Sequence, residues 1–443
     1  MTLGVLIKML RRYCKGFYKI GYGLWAIGYR RRIFLLPIAS SCLLPVFIIG
    51  CAGDLAAKKD IKSIPWETYL LNNQRHGETE DTFVSPPNIA GDFRISSGIR
   101  FFPIYDPRQY SSPAVVDNVV YVGSADKHFY AVNIKNGKEI WGFETTGAVE
   151  SSPTVAGGRV YFGVNDGKLY CLDINDGREI WHFQANTEII SSPVIENGIV
   201  YFNSADDKVY ALKSENGEIV WRYNRRYIKR MVKRMFTSLA AYSNKIYCNF
   251  SDGYMVAIEK SSGHEIWSKR IGSSSETWSS RSEAVIARLT PTVNNGLVYV
   301  IDENGFIIAL DAENGDEKWR FDIIKSSDFA MNKDYMFIAG YDGRIIAMKK
   351  ASGDIVWRKR VSQGTPVSAI IADKYLIIAS NYKSESIFSG SIGSLVDIFD
   401  LDKGKKMWSE NIDSTTSTSL AAAYNSLLFV TDKGHLRIYK SSQ

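Results

Sequence analysis

The sequence predicts an all-β protein, an eight-bladed β-propeller of four-stranded antiparallel blades. Three observations favour this fold. A unit of about 40 residues recurs along the chain, each unit contains four short strand patterns, and the last unit lacks one strand that the segment before the first unit can supply. A unit of this length cannot bury its apolar face alone, so the units must stack on one another to form a core.

A glycine followed four residues later by a tryptophan marks the repeat. Successive tryptophans are separated by 40, 40, 46, 52, 38 and 51 residues, which indicates a basic unit with insertions in some copies. An indole at one fixed place per unit suits packing between neighbouring blades, so we interpret these tryptophans as structural blade-docking residues without a catalytic role. The pairs are Gly137/Trp141, Gly177/Trp181, Gly217/Trp221, Gly263/Trp267, Gly315/Trp319, Gly353/Trp357 and Gly404/Trp408.

Each unit contains four runs of β-branched and aromatic residues separated by turn signals. In residues 151–183 the runs are divided by Asn-Asp-Gly at 165–167 and again at 175–177, and both triplets favour hairpins because Asn and Gly tolerate a positive φ. Four antiparallel runs give one blade. The eight units begin near Ser111, Ser151, Ser191, Ser238, Pro291, Phe329, Ala369 and Leu420.

The eighth unit is incomplete, because no Gly-x-x-x-Trp follows its last strand pattern, Leu436 to Tyr439. We expect Asp92 to Ile95 to supply the missing outer strand, with Phe93 standing where the other blades have tryptophan. One strand from each end of the chain would then close the ring and protect the sheet edges. The propeller is predicted over residues 91–443.

The net charge of +7 comes from the N-terminal segment. Residues 1–50 carry eight lysines and arginines and no acidic residue, which leaves a net charge of about −1 for the rest of the chain. A body without a global basic field is not expected to bind nucleic acid.

Residues 1–50 have the features of an export signal. Three arginines at 30–32 precede an almost continuous apolar stretch at 33–50. An uncleaved membrane helix is the alternative, since eighteen apolar residues nearly span a bilayer. Both interpretations place the rest of the protein outside the cytoplasm.

The end of the apolar stretch, Ile48-Ile49-Gly50-Cys51, resembles a bacterial lipobox of the kind found in lipoproteins. This resemblance implies that Cys51 is lipidated and becomes the new N-terminus. In bacterial sorting rules Ala52, the residue after the cysteine, favours the outer membrane. Residues 51–90 are then the lipidated cysteine, a linker and a segment that leads into the propeller.

Residues that could bind a metal or carry catalysis are few and scattered. The five histidines have no metal-ligand spacing, and Cys171 and Cys248 lie in separate strand patterns. We therefore predict no metal, no cofactor and no catalytic residue. The histidines are His76, His128, His182, His264 and His435.

The repeat resembles that of propellers related to pyrroloquinoline-quinone (PQQ) enzymes. Residues 309–319 match the motif Ala-x-Asp-x-x-x-Gly-x-x-x-Trp of that superfamily, and residues 66–69 with Asn73, Arg75 and Gly77 resemble the segment that precedes such propellers. One branch contains quinoprotein dehydrogenases, which hold calcium beside the quinone and often have a disulfide between adjacent cysteines. This chain has no adjacent cysteines and lacks the large insertions of those enzymes, so a quinoprotein dehydrogenase is the least favoured alternative.

The other branch is the BamB family of non-enzymatic outer-membrane lipoproteins, which are eight-bladed propellers of the β-barrel assembly machinery. The lipobox, the eight units and a length of about 390 residues after cleavage resemble this family. The resemblance implies a scaffold at the periplasmic face of the outer membrane. Its partners would be the barrel-inserting subunit, unfolded outer-membrane proteins and the membrane. A generic extracytoplasmic propeller that binds another protein or a polysaccharide is the alternative.

The connection after Trp221 is the most unusual local sequence. In residues 222–236 basic pairs alternate with apolar pairs at a period of four, which favours a helical turn with one charged stripe. The resemblance implies that this connection contributes to the surface that meets the barrel-inserting subunit, although its composition differs from that of the family. A solvated basic loop is the alternative, and anionic lipid headgroups are a further candidate partner. The predicted partner-binding residues are Arg225, Arg226, Lys229, Arg230, Lys233, Arg234 and Met235.

Overall fold

Eight antiparallel sheets, arranged as the blades of a propeller, make up the described part of the chain. All of it belongs to one compact unit, Lys59–Gln443, and contains 33 β-strands and no helix. The predicted all-β, eight-bladed propeller is confirmed. The computed structural model describes residues 65–80, 86–95, 108–225, 237–271, 290–302, 304–383 and 391–441.

Two strands precede the first complete blade, and the next sixteen strands form four blades in chain order. The two are β1 (Glu78–Thr79) and β2 (Pro87–Arg94). Blade one contains β3 (Ala114–Val116), β4 (Val119–Gly123), β5 (His128–Asn133) and β6 (Glu139–Glu144). Blade two contains β7 (Thr154–Ala156), β8 (Arg159–Gly163), β9 (Lys168–Asp173) and β10 (Glu179–Gln184). Blade three contains β11 (Val194–Glu196), β12 (Ile199–Ser204), β13 (Lys208–Lys213) and β14 (Ile219–Asn224). Blade four contains β15 (Ala240–Tyr242), β16 (Lys245–Asn249), β17 (Tyr254–Glu259) and β18 (Glu265–Arg270).

Blades five to eight follow, and two of them pair with β1 and β2. Blade five contains β19 (Thr292–Asn294), β20 (Leu297–Ile301), β21 (Ile307–Asp311) and β22 (Glu317–Phe321). Blade six contains β23 (Ser326–Met331), β24 (Tyr335–Gly340), β25 (Arg344–Lys349) and β26 (Ile355–Arg360). Blade seven contains β27 (Thr365–Ala372), β28 (Tyr375–Lys383), β29 (Ile392–Asp400) and β30 (Lys406–Ile412), and β1 pairs in parallel with β27. Blade eight contains β31 (Ala421–Ala423), β32 (Ser426–Val430) and β33 (His435–Ser441), and β2 pairs with β33.

The glycine of each Gly-x-x-x-Trp copy lies in the turn before the outer strand. All seven glycines have φ between +63° and +74°, a backbone region that side chains with a Cβ avoid. This requirement explains why glycine recurs there. They are Gly137, Gly177, Gly217, Gly263, Gly315, Gly353 and Gly404.

A β-bulge interrupts the outer strand of each of these blades. In blade one Trp141 pairs with Ala131 and Glu139 pairs with Val132, so that Ile140 between them is left without a partner. A bulge twists an edge strand and makes it a poorer template for pairing with another strand. The equivalent unpaired residues are Ile180, Val220, Ile266, Lys318, Val356 and Met407.

The hydrophobic core lies between neighbouring blades. Tyr121, Phe129 and Trp141 of blade one pack with Val160 and Phe162 of blade two. The rings of Phe129 and Phe162 stack with their centroids 4.1 Å apart. Burial of each such side chain contributes about 1.5–3 kcal/mol, so the seams, meaning the contacts between neighbouring blades, hold the ring together.

Blade eight is closed by the N-terminal strand, as predicted, but the position of Phe93 differs from the expectation. Phe93 pairs with Leu436, and Gly91 pairs with Ile438 at the register position that tryptophan occupies in the other blades. The bulge at Ala90 directly precedes this position, as the bulges of the other blades do, so the difference is that glycine replaces tryptophan and the aromatic residue stands two positions later. A Cβ on Gly91 would overlap the ring of Phe93, so that ring folds back into the place of the missing indole.

Two predicted boundaries differ from those of the strands. β2 begins at Pro87, so the start of the propeller predicted at residue 91 falls inside a strand. In blade seven, the sequence of residues 381–394 indicates an insertion, but β28 continues to Lys383 and β29 begins at Ile392, so both strands extend into it; residues 384–390 lie outside the described part.

Candidate functional site

Residues 66–79, named here the strap, run across one end of the central channel. In five blades the first strand, which is the inner strand of the ring, donates a hydrogen bond to the strap. The donor is the backbone N–H of the penultimate residue of the strand and the acceptor is a strap carbonyl, so the strap ties these blades together. The donors and acceptors are Val115 to Trp66 (2.7 Å), Val155 to Glu67 (2.8 Å), Ala241 to Asn73 (2.8 Å), Val293 to Gln74 (3.0 Å) and Ile371 to Gly77 (2.8 Å).

The side chain of Arg75, in the strap, is buried between the strap and blades three and four and is 1% exposed. Its Nε donates to the carbonyl of Leu239 at 3.0 Å, and its Nη2 donates to the carbonyls of Ser192 at 3.1 Å and Pro193 at 3.3 Å. Its Nη1 donates to Thr68 Oγ1 and to the Tyr69 carbonyl within the strap. Burial lowers the pKa of the Arg75 guanidinium to about 10. Five neutral oxygens thus solvate the cation and fix the strap to blades three and four.

Hydroxyl groups line the channel between the strap and the opposite mouth. They accept hydrogen bonds from backbone N–H groups of neighbouring blades, for example Ser112 N–H to Ser152 Oγ at 2.9 Å and Ser238 N–H to Thr290 Oγ1 at 3.0 Å. The cavity enclosed here has a volume of ≈ 40 Å³. Pockets for small-molecule ligands measure roughly 300–1,000 Å³, so this cavity has room for water only. Its lining is Tyr69, Tyr110, Ser112, Glu150, Ser152, Ile190, Ser192, Ser238, Thr290, Ser417 and Ser419.

The face of the ring away from the strap is named here the mouth face. Because the strands of a blade alternate in direction, the end of its second strand and the end of its fourth strand both lie on this face. Asn224, Arg270 and Lys383, each the last residue of such a strand, therefore lie on the mouth face.

Arg225 is the one predicted partner-binding residue within the described residues. Its Nε lies 2.9 Å from Asp252 Oδ2, its Nη1 lies 3.4 Å from Glu265 Oε2, and its guanidinium lies 4.5 Å from the ring centre of Tyr254. The side chain is 13% exposed, so it serves the seam between blades three and four. The other predicted residues, Arg226, Lys229, Arg230, Lys233, Arg234 and Met235, lie outside the described part.

Five of the seven repeat tryptophans have one geometry. Each is at most 9% exposed, donates from Nε1 to a carbonyl three residues before the glycine of the next blade, and lies against that glycine. For Trp141 the carbonyl is that of Ile174, at 3.0 Å, and the glycine is Gly177. The other four are Trp181, Trp221, Trp267 and Trp357.

Trp319 and Trp408 depart from this geometry and are only half-buried. A Cβ on Gly353, the glycine that should face Trp319, would meet no atom within 4 Å. Lys350 bridges this seam instead, because its Nζ donates to Asn294 Oδ1 of blade five at 2.7 Å. Trp408 faces blade eight, where it meets the ring of Tyr439 edge-on at 5.5 Å.

The described residues do not fit a calcium ion and a quinone. No three of their His, Cys, Asp and Glu side chains are grouped to hold a metal ion. Cys171 and Cys248 are free, buried and in different blades, and burial raises the pKa of the Cys171 thiol to about 11. The hydroxyl-lined cavity is far smaller than a cofactor pocket.

The proposed lipidation site, Cys51, and the export signal lie outside the described residues. Within those residues, no helix has the length and apolar character needed to cross a bilayer.

Known proteins similar to this chain include BamB proteins and a quinohemoprotein alcohol dehydrogenase. A curated relative, the outer membrane protein assembly factor BamB of Moranella endobia, is 23% identical over 146 residues, which are 32% of this chain and 34% of that protein. The alignment therefore spans about a third of the relative. The crystal structure of BamB from Moraxella catarrhalis has a TM-score of 0.62 at 16% identity and covers 80% of this chain and 99% of its own. The quinohemoprotein alcohol dehydrogenase of Comamonas testosteroni has a TM-score of 0.63 at 12% identity and covers 86% and 81%.

The structural similarities show the propeller fold, and the family follows from the sequence. A family model described as outer membrane protein assembly factor BamB matches residues 105–167, 151–327 and 303–440, which together cover most of the chain. The chain belongs to the family of the outer membrane protein assembly factor BamB.

Proposed function

We propose that this chain is a non-enzymatic, lipid-anchored scaffold that assists the assembly of β-barrel proteins at the periplasmic face of the outer membrane. The observation that carries the proposal is the family match along residues 105–440. The small cavity and the lack of grouped metal ligands among the described residues support a binding role over a catalytic one. The proposed partners are the barrel-inserting subunit, unfolded outer-membrane proteins and the membrane.

Affinity purification of the full chain from solubilised membranes tests this function. Co-purification of an outer-membrane β-barrel protein with periplasmic domains is the expected result. A chain that recovers only soluble proteins or a polysaccharide would instead support the generic extracytoplasmic propeller. The Cys51→Ala variant should move from the membrane fraction to the soluble fraction if the thiol carries the lipid.

The basic connection, residues 222–236, is the proposed docking element. Charge reversal by Arg230→Glu with Arg234→Glu should reduce retention of the barrel-inserting subunit. Lys135→Glu with Lys138→Glu is a matched control, because it makes the same charge change at two exposed residues of a strap-face turn. Equal retention by both double variants would reject the docking role.

Catalysis by a quinone is tested separately. Purified protein mixed with PQQ and calcium should show no change in quinone absorbance and no alcohol or sugar oxidation. Turnover that depends on the quinone would replace the scaffold proposal with the dehydrogenase alternative.

A further inference from the structure

Two seams with the same geometry carry different charges on the outer rim. In the seam between blades four and five, the stem of Lys269 lies over Gly315. Its Nζ forms an ion pair of 2.9 Å with Oδ1 of Asp316, the residue after that glycine. The two side chains neutralise each other.

In the seam between blades six and seven, a second cation takes the place of the acid. The stem of Lys359 lies over Gly404 as that of Lys269 lies over Gly315, but the residue after Gly404 is Lys405. Both side chains are exposed, and neither ammonium has a hydrogen-bond or ion-pair partner among the described residues. The turn position that supplies the acid of the ion pair in one seam therefore supplies a second lysine in the other.

The adjacent turn contains two acidic residues, fewer than the three lysines. Both carboxylate oxygens of Asp400 accept backbone N–H groups, from Lys403 at 2.7 Å and from Lys405 at 2.6 Å. Asp402 is exposed in the same turn, as is the side chain of Lys403. Three cations, those of Lys359, Lys403 and Lys405, thus stand beside two carboxylates, of which only that of Asp402 is exposed.

Exposed apolar side chains flank the cations. Val356 is 43% exposed and Met407 is 41% exposed, and both are the unpaired bulge residues of their outer strands. Exposed cations combined with exposed apolar side chains suit the boundary between lipid headgroups and acyl chains. We name Lys359, Lys403, Lys405, Val356 and Met407 the rim patch.

We propose that the rim patch binds the phosphate groups of anionic membrane lipids. The inference rests on the proposed lipid anchor, because about 15 residues between Cys51 and Trp66 span at most about 50 Å and would keep the ring close to a bilayer. Charge complementarity carries the choice of partner: each lysine near an anionic surface strengthens binding about fivefold. An acidic protein segment is the competing occupant.

Hydrogen exchange measured by mass spectrometry tests the proposal on the full lipidated chain. The protein is reconstituted in phosphatidylcholine vesicles with or without phosphatidylglycerol. Peptides that cover residues 353–360 and 401–408 should exchange more slowly with phosphatidylglycerol, and added salt should remove this protection. Equal exchange in the two vesicle types would overturn the proposal. So would protection by soluble polyglutamate with none by phosphatidylglycerol.

Lys405→Asp is the informative variant, because it restores the lysine–aspartate pair that the seam between blades four and five already contains. It should lose the protection while remaining folded. Lys138→Asp is the matched control, since Lys138 follows Gly137 in the equivalent turn of blade one, and it should keep the protection. Loss in both variants would overturn the assignment to the rim patch. Failure to co-purify a barrel protein would reject the scaffold function and leave this result unaffected.

Discussion

The ring of Phe93 lies against Gly137, and this contact joins the first strand of blade eight to the third turn of blade one. It reproduces the contact of Trp141 with Gly177 in the next seam, although the aromatic residue stands two positions further along its strand. The chain therefore closes its ring with an aromatic side chain packed against a turn glycine, the contact that joins other neighbouring blades. The substitute is a smaller ring without an N–H donor.

Loss of the Phe93 ring should open this closure. Phe93→Ala is expected to lower the free energy of unfolding by about 2–4 kcal/mol, because a half-buried aromatic ring is removed from the seam. Ile89→Ala on the same strand is the control and should change it by less than about 0.5 kcal/mol, since Ile89 is 54% exposed. Urea unfolding followed by tryptophan fluorescence measures both. Equal effects would contradict the closing role of Phe93.

Alanine substitutions at two glycines distinguish the free-energy cost of backbone strain from that of a clash with an indole ring. Gly353 and Gly404 have φ of +74° and +63°, so alanine should cost about 1–2 kcal/mol at either position. A Cβ on Gly404 would also overlap the ring of Trp357, whereas one on Gly353 would meet nothing. Gly404→Ala should therefore destabilise by about 1–3 kcal/mol more than Gly353→Ala in thermal unfolding. The reverse order would contradict the seam geometry.

We expect the side chain of Arg75 to be needed to keep the strap bound to blades three and four. Arg75→Ala removes five hydrogen bonds and leaves buried carbonyls unpaired, so a loss of about 3 kcal/mol or more is expected. Gln74→Ala should have little effect, because Gln74 holds blade five through its backbone carbonyl. Limited proteolysis tests the strap directly. Cleavage within residues 66–79 should be faster in Arg75→Ala and unchanged in Gln74→Ala. Cleavage that is unchanged by Arg75→Ala would show that the strap is held by its backbone.

Glu78 predicts a pH dependence of stability. Burial raises its pKa from 4.5 to about 6 in the folded chain, so the folded state binds more protons than the unfolded state between these values. The contribution of Glu78 to stability is therefore fully present below about pH 4.5 and is lost as the pH rises through about 6. Glu78→Gln should be more stable than the parent at pH 7.5, with a smaller advantage at pH 5, in urea unfolding at both values. A constant difference would contradict the raised pKa.

The blades could be predicted from the sequence because their determinants are residue types. A glycine at positive φ and an indole four residues later leave a readable signal, as Gly177 and Trp181 show. The register of Phe93 could not be predicted, because β2 has no Gly-x-x-x-Trp pattern to mark the position that tryptophan occupies in the other blades. The function of the strap was also hidden, since Arg75 binds backbone carbonyls that any residue supplies.

The exceptions to the repeat could be identified only from the contacts between blades in the structure. Trp319 follows the same Gly-Asp-x-x pattern as Trp357, yet among the described residues it makes neither the glycine contact nor the indole hydrogen bond of Trp357. The position of Lys359 over Gly404, the residue before Lys405, depends on which turn faces which strand across a seam. Such relationships join residues of different repeats, so a pattern within one repeat cannot reveal them.

The level of folded β-barrel proteins in the outer membrane tests the proposed scaffold most directly. Cells depleted of this chain and then supplied with it again are compared by quantitative mass spectrometry of outer-membrane fractions. Folded barrel proteins should fall on depletion and recover with the native chain, and recovery should be weaker with Cys51→Ala. Barrel protein levels that stay constant throughout would contradict a role in their assembly.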